Sequence, residues 1–224
     1  MDSSPASFDV ICEVIKVLAA SGDHQTIRSL STSCQVLTTP SQRILFKKIS
    51  LDDRQNYESM NKLLIGSPHL SKYIQNLRCR FNDNSDLPPP FVPSLLKRMI
   101  NIDRLHIVTH KTITWSRLDT NLKDAVLLIL QSPSIRIFRM QGNISIPKLL
   151  LASMSKSLTL LDMGKASFDT TNPEIHHGCL LGLRHLHLGW GGEGARSRLQ
   201  KVLELAPLLS SLEVQGLFLP SLSS

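Results

Sequence analysis

The sequence predicts an α/β repeat fold, with short parallel strands alternating with helices behind a small helical module at the N-terminus. Three observations predict it. One apolar triplet recurs along the chain, its copies lie 23 to 33 residues apart, and the intervals between them hold segments of helical periodicity.

The triplet reads apolar-x-x-apolar-x-apolar. Its copies are Phe46, Ile49, Leu51; Ile74, Leu77, Cys79; Ile102, Leu105, Ile107; and Ile135, Phe138, Met140. They continue as Leu158, Leu161, Met163; Leu183, Leu186, Leu188; and Leu209, Leu212, Val214. The middle anchors are therefore 28, 28, 33, 23, 25 and 26 residues apart, near the period of leucine-rich repeats. The last two apolar positions are two apart, so both point to one face of a short strand. One such layer cannot bury its own apolar face, whereas stacked neighbours can. The expected architecture is a leucine-rich-repeat-like solenoid of parallel strands with outer helices.

Helices are expected between the strands. Residues 57–65 form one, closed by Gly66 and Pro68. Residues 94–100 follow the run Pro88-Pro89-Pro90, and residues 122–130 stop before Pro133. Residues 148–154 open after Pro147, and residues 196–205 stop before Pro207. Strand then helix, repeated, implies parallel pairing through right-handed crossovers. The 33-residue interval holds Trp115 and is expected to contain a longer loop. The segment 168–182 opens too polar to assign.

Upstream, Val10, Ile11, Val14, Ile15 and Leu18 share one helical stripe behind Ser7 as N-cap. A Gly22-Asp23 turn follows. A second helix is expected from His24, with Ile27, Leu30, Cys34 and Leu37 spaced by three and four, until Pro40 interrupts it. Two stretches carry a resemblance: Thr26-Ile27-Arg28-Ser29-Leu30-Ser31, and Arg43-Ile44-Leu45-Phe46-Lys47-Lys48-Ile49-Ser50-Leu51. They are similar to the F-box-like proteins abundant in basidiomycete fungi, in which a short apolar helix and a Thr-Leu-rich helix precede an Arg-x-x-Leu-Phe-x-x-Ile-x-Leu run. The chain departs from that pattern where Ala6-Ser7 replaces a Leu-Pro opening, and where Gln35 and Leu37 stand at the Arg and Trp positions.

The resemblance implies residues 1–45 as an F-box-like module and 46–224 as an irregular repeat region. It implies docking to the Skp-type linker protein of a cullin–RING ubiquitin ligase through Val10, Ile11, Val14, Ile15, Leu18, Ile27 and Leu30. The repeat region would then recognise the ligase target. The other reading of the same helices is a cap on one end of a plain repeat scaffold with no ligase role.

Composition fits a globular chain: 224 residues, 42% hydrophobic and 19% charged, with a net charge of +7. The four cysteines, Cys12, Cys34, Cys79 and Cys179, contain no C-x-x-C pair. The opening Met-Asp-Ser-Ser has neither a positive region nor an apolar core, and Glu13 and Lys16 interrupt the apolar stretch 10–20. A reducing compartment, cytoplasm or nucleus, with buried free thiols and no membrane span, is the expectation. The sequon at Asn143 would then stay unglycosylated. Phe218-Leu219-Pro220 is apolar and no polar capping unit is read after the seventh repeat, so an open last strand is expected, in a shortened array or a fragment of a longer one.

The residues flanking the inward pair should line the open, concave face of the sheet. Between the paired apolars stand Ser50, Arg78, His106, Arg139, Asp162, His187 and Glu213. Two residues earlier come Lys48, Asn76, Arg104, Ile137, Leu160, His185 and Ser211; two later come Asp52, Arg80, Val108, Gln141, Gly164, Gly189 and Gln215. Lys48, Arg78, Arg80, Arg104, His106 and Arg139 make the early units basic. Like charges at strand spacing repel, so an acidic or phosphorylated protein segment is the expected partner; a solvated face with no ligand is the alternative.

No catalytic residue, cofactor or metal site is expected. The run Gly189-Trp190-Gly191-Gly192-Glu193-Gly194 fits G-x-G-x-x-G, with Glu213 19 residues beyond. Only 11 residues follow Glu213, and the strand before the loop carries Arg184, His185 and His187, which a central doubly wound strand disfavours. A dinucleotide-dependent enzyme using this loop is retained as the reading from the enzyme class. His176, His177, His185 and His187 form a patch without a third ligand of known geometry. Trp115 and Trp190 are isolated, so base stacking by a nucleic-acid partner is not expected.

Overall fold

A computed structural model describes residues 8–81, 89–109, 113–142, 144–147, 150, 153–164, 167–169, 182–189 and 209–215. Three helices come first: α1 (Phe8–Ala20), α2 (His24–Ser33) and α3 (Gln35–Leu45). The Asp23 carboxylate caps α2, accepting from the Thr26 amide at 3.0 Å and its hydroxyl at 2.6 Å. The second and third helices part at Cys34, whose backbone is extended, and not at Pro40. Pro40 lies buried inside α3, at the cost of one intrahelical hydrogen bond.

The remaining elements are β1 (Lys48–Leu51), α4 (Arg54–Gly66), β2 (Asn76–Phe81), α5 (Val92–Lys97), β3 (Arg104–Thr109), β4 (Ile113–Thr114) and α6 (Thr120–Gln131). Then come β5 (Ile137–Gln141), β6 (Ile144–Pro147), β7 (Leu160–Asp162), β8 (Ser167–Asp169), β9 (His185–Gly189) and β10 (Ser211–Gln215). Asp53 and Asp119 cap α4 and α6 through the amides of Asn56 and Leu122. Of the expected helix 148–154, Leu150 is helical and both Leu150 and Met154 are buried; the expected helix 196–205 lies outside the described residues.

Seven strands form one parallel sheet in the order β1-β2-β3-β5-β7-β9-β10. Its register aligns every middle anchor of the triplet: Ile49, Leu77, Leu105, Phe138, Leu161, Leu186 and Leu212 pair in turn. The lead-in residues Ile74, Ile102, Ile135, Leu158 and Leu183 are fully buried. A carbonyl at each crossing takes two amides from the next unit. Lys47 O accepts from Gln75 and Asn76, Gln75 O from Asp103 and Arg104, and Asp103 O from Arg136 and Ile137. The pattern continues through Arg136 O, Thr159 O and Arg184 O to Ser210 and Ser211.

One face of this sheet is covered. The inward residues of the strands share a single core with Tyr57 and Leu64 of α4, with Val92, Leu95 and Leu96 of α5, and with Leu122, Ala125, Val126, Ile129 and Leu130 of α6. Burial pushes the Cys79 thiol up to about 12, so it stays protonated and behaves as a small apolar residue. The expected buried thiols divide: Cys79 is buried, Cys12 half-buried and Cys34 exposed, because Cys34 sits in the break between α2 and α3. Among the described residues no helix is long and apolar enough to cross a membrane.

A second parallel sheet, β4-β6-β8, has no counterpart in the sequence pattern. Its short strands follow β3, β5 and β7, so the chain bends after each main strand and pairs again with its neighbour. The bends after β5 and β7 contain glycines at positive φ, Gly142 at 116° and Gly164 at 45°. A Cβ on Gly142 would collide with the carbonyl and side chain of Thr109, one layer away.

Gly142→Ala should therefore destabilise the chain, by about 1–3 kcal/mol from backbone conformation alone, with the collision added. Gly66 ends α4, and a methyl group there would meet nothing within 4 Å. Gly66→Ala should thus be neutral or stabilising by up to about 1 kcal/mol. Urea titrations of both variants check this; equal midpoints would refute the close stacking at Gly142.

Candidate partner-binding face

The face of the large sheet opposite the described helices carries the side chains that alternate with the core. Strand register places Ser50, Arg78, His106, Arg139, Asp162, His187 and Glu213 in one row, each beside the next. Lys48, Asn76, Arg104 and Ile137 form the parallel row before it. All six basic residues expected on this face lie on β1, β2, β3 and β5. Lys48, Arg104 and Arg139 are exposed; Arg78, Arg80 and His106 are half-buried. Val108, expected from its column among the face residues, is instead buried, lying in register between Arg80 and Gln141.

The repulsion expected from this stack is partly relieved inside the protein. Asp52 Oδ1 lies 3.8 Å from Arg78 Nη1 and 3.7 Å from Arg80 Nε. Ser50 Oγ donates to the other Asp52 oxygen at 2.7 Å. Asp162 serves the other end: its Oδ2 is 3.8 Å from Arg139 Nε, and its Oδ1 is 2.7 Å from His187 Nδ1. Arg104 Nε reaches Asp103 Oδ2 at 3.3 Å. Both key carboxylates stand in the sequence columns, Asp52 beside Arg80 and Asp162 beside Arg139. The signal that finds them is simple: a residue of opposite sign next in its column is a contact one strand away.

These contacts leave hydrogen-bonding capacity unused. Among the described residues, Asp52 Oδ1, Asn76 Oδ1, Arg78 Nε, Arg80 Nε and His187 Nε2 are screened from solvent yet have no hydrogen-bond partner. These five belong to this face; the other two such atoms among the described residues, Ser41 Oγ and Thr109 Oγ1, lie in α3 and at the end of β3. An Arg–Asp separation of 3.7 Å is attractive electrostatically but too long for a hydrogen bond, which leaves room for bridging water or a partner's polar group. Unsatisfied buried polar atoms are few in native proteins, and five of the seven among the described residues lie on this face.

His106 lies at the centre. Partial burial pushes its imidazole below the ordinary value, and Arg78 and Arg139 on the flanking strands push the same way. Asp162 and a hydrogen bond with Gln141 oppose them. The ring is therefore disposed to be neutral near pH 7, and an arriving anion would favour its protonation.

The N-terminal residues divide differently from the sequence expectation. Val10 and Val14 are exposed, at 53% and 51%, whereas Ile11, Leu18 and Leu30 are half-buried. Ile15 and Ile27 are buried at 1% and 0%. They fill the interior of the three-helix module and are not free to meet a partner. Val17, exposed at 67%, extends the outward apolar strip and lies outside the stripe read from the sequence.

Of the glycine-rich run only Gly189, the last residue of β9, is among the described residues; residues 190–194 lie outside them, as do His176 and His177. Among the described residues no group of three or more His, Cys, Asp and Glu is gathered as metal ligands would be. No protein-family model matches this chain, and neither a curated protein nor a solved structure shows significant similarity to it.

Because the folded His106 imidazole sits below its unfolded value near 6.5, its contribution to stability is complete above that pH and is lost as pH falls toward the folded value. An NMR titration should place its midpoint below 6.5. Arg139→Gln should move the midpoint upward; no movement would mean that the neighbouring guanidinium does not act on the ring.

Proposed function

We propose that this protein is a non-enzymatic adaptor whose open sheet face holds an acidic or phosphorylated segment of another protein. The observation that carries the reading is the register row Arg78, His106 and Arg139 with Arg80 beside it, in which Arg78 Nε and Arg80 Nε make no hydrogen bond. Guanidinium groups with unused donors suit carboxylate and phosphate, which offer several acceptor oxygens in one plane. On this reading residues 46–224 form a leucine-rich-repeat-like solenoid. The strand order and shared anchor register support that architecture, since each unit adds one strand beside the last.

The F-box-like resemblance supports a more specific role, target recognition within a cullin–RING ubiquitin ligase in the cytoplasm or nucleus. Residues 1–45 would dock to the Skp-type linker protein through the outward strip of α1, with Val10 and Val14 at its centre. The exposure of these two valines favours docking; a cap needs no outward apolar strip. The packing of α3 against the turn 68–73, where Gln42 Oε1 lies 3.4 Å from His69 Nε2, favours the plain scaffold with a helical cap.

Calorimetry with the purified linker protein separates the two. Micromolar or tighter binding, abolished by Val10→Asp together with Val14→Asp, is expected of an adaptor. Those positions are chosen because Ile15→Asp would break the module's own core. No binding by the folded chain leaves the scaffold. For the open face, Arg78→Glu with Arg104→Glu should weaken a phosphorylated acidic peptide roughly tenfold or more while the far-UV spectrum stays unchanged. Unaltered peptide affinity would remove the assignment of this face.

A further inference from the structure

A second basic site lies away from the sheet face, where the helical module meets the first two strand units. It is a cleft of about 680 Å³, within the size range of small-molecule sites. Four cationic side chains line it: Lys16 from α1, Arg43 from α3, Lys47 just before β1, and Lys72 from the turn before β2. Among the described residues no carboxylate lines it. Cys12, Pro40 and Ile44 supply an apolar wall, and Gln75 and Asn101 supply amides.

The charge balance here contrasts with that of the open face. There, Asp52, Asp103 and Asp162 each answer an arginine. In the cleft Lys16 is paired, with Glu13 at 2.6 Å. Among the described residues, Arg43, Lys47 and Lys72 have no carboxylate at ion-pair distance.

The fold nevertheless draws these cations together. Arg43 Cζ stands 5.9 Å and Lys72 Nζ 5.2 Å from the centre of the one Tyr73 ring, which attracts both through its π face. The backbone beneath them is fixed. Lys47 O accepts from the Gln75 and Asn76 amides, and Lys72 O accepts from Asn101 Nδ2 at 3.0 Å. Cations gathered in a concave site without a counter-charge repel one another, and that repulsion is relieved when an anion enters.

We infer that this cleft binds a compact small molecule carrying two or more phosphate groups, its carbon skeleton lying on the apolar wall. Several cations from separate elements suit several phosphates better than one carboxylate, since each ammonium acts as a point charge on its own oxygen cluster. The ligand would bridge the helical module and the sheet, so binding would stabilise their junction.

The test uses the full chain with tripolyphosphate as the anion, at physiological salt, by calorimetry and thermal melting. Saturable binding and a raised melting temperature are expected. Arg43→Gln with Lys72→Gln should weaken binding about tenfold or more while the ligand-free chain stays folded, since both side chains are exposed. Should that pair melt lower without ligand, Lys47→Gln replaces it. Lys62→Gln, at an exposed cation of α4 outside the cleft and off the sheet face, should leave tripolyphosphate binding intact. The inference is overturned by absence of saturable binding, by equal affinity in the cleft variants, or by an equal loss of binding in Lys62→Gln.

Discussion

One carbonyl taking two amides is the contact on which this architecture depends. At each crossing into a main strand, from Lys47 through Gln75, Asp103, Arg136 and Thr159 to Arg184, a single oxygen accepts the two N–H groups that open the next strand. That arrangement fixes where each strand begins relative to the one before. Since side chains alternate along a strand, a slip of one residue would exchange the core column for the charged row. Burial of Leu77, Leu105, Phe138, Leu161 and Leu186 and exposure of Arg139 are thus two results of one alignment.

The main sheet is legible in the sequence because its signal has a period of two residues inside a longer repeat. The anchors read from the sequence are the residues that pair, and helices α4 and α6 lie where the apolar periodicity and the prolines put them. What escapes has physical reasons. Strands β4, β6 and β8 are two to four residues long, too short for any alternation to show, and they depend on neighbours in space. The separation of α2 from α3 at Cys34 leaves the helical spacing of Ile27, Leu30 and Leu37 undisturbed, so periodicity cannot reveal it. Pro40 misleads because a proline within a helix is costly but tolerated where packing compensates, and this one is buried.

The candidate face is legible in membership but not in balance. Columns give the basic residues; they do not give the distances that let Asp52 serve two arginines and Asp162 serve an arginine and a histidine. Nor can a helical stripe tell which of its apolar residues turn inward. Ile15 and Val14 are adjacent in sequence, yet one is enclosed by α2 and α3 and the other faces out, because three helices enclose only part of the circumference of the first. The cleft is harder still to read, since Lys16, Arg43, Lys47 and Lys72 are scattered along 57 positions and meet only through the fold.

Neighbouring strands of the main sheet are joined by connections of modest and similar length, and no paired anchors are more than 33 positions apart. Folding can therefore proceed by adding one unit at a time, each paying a comparable loop-closure entropy before its pairing is rewarded. Such a chain needs no single obligatory nucleus spanning both ends. Leu212 of β10 is 40% exposed whereas Phe138 of β5 is fully enclosed, so local opening costs less at β10 than at β5.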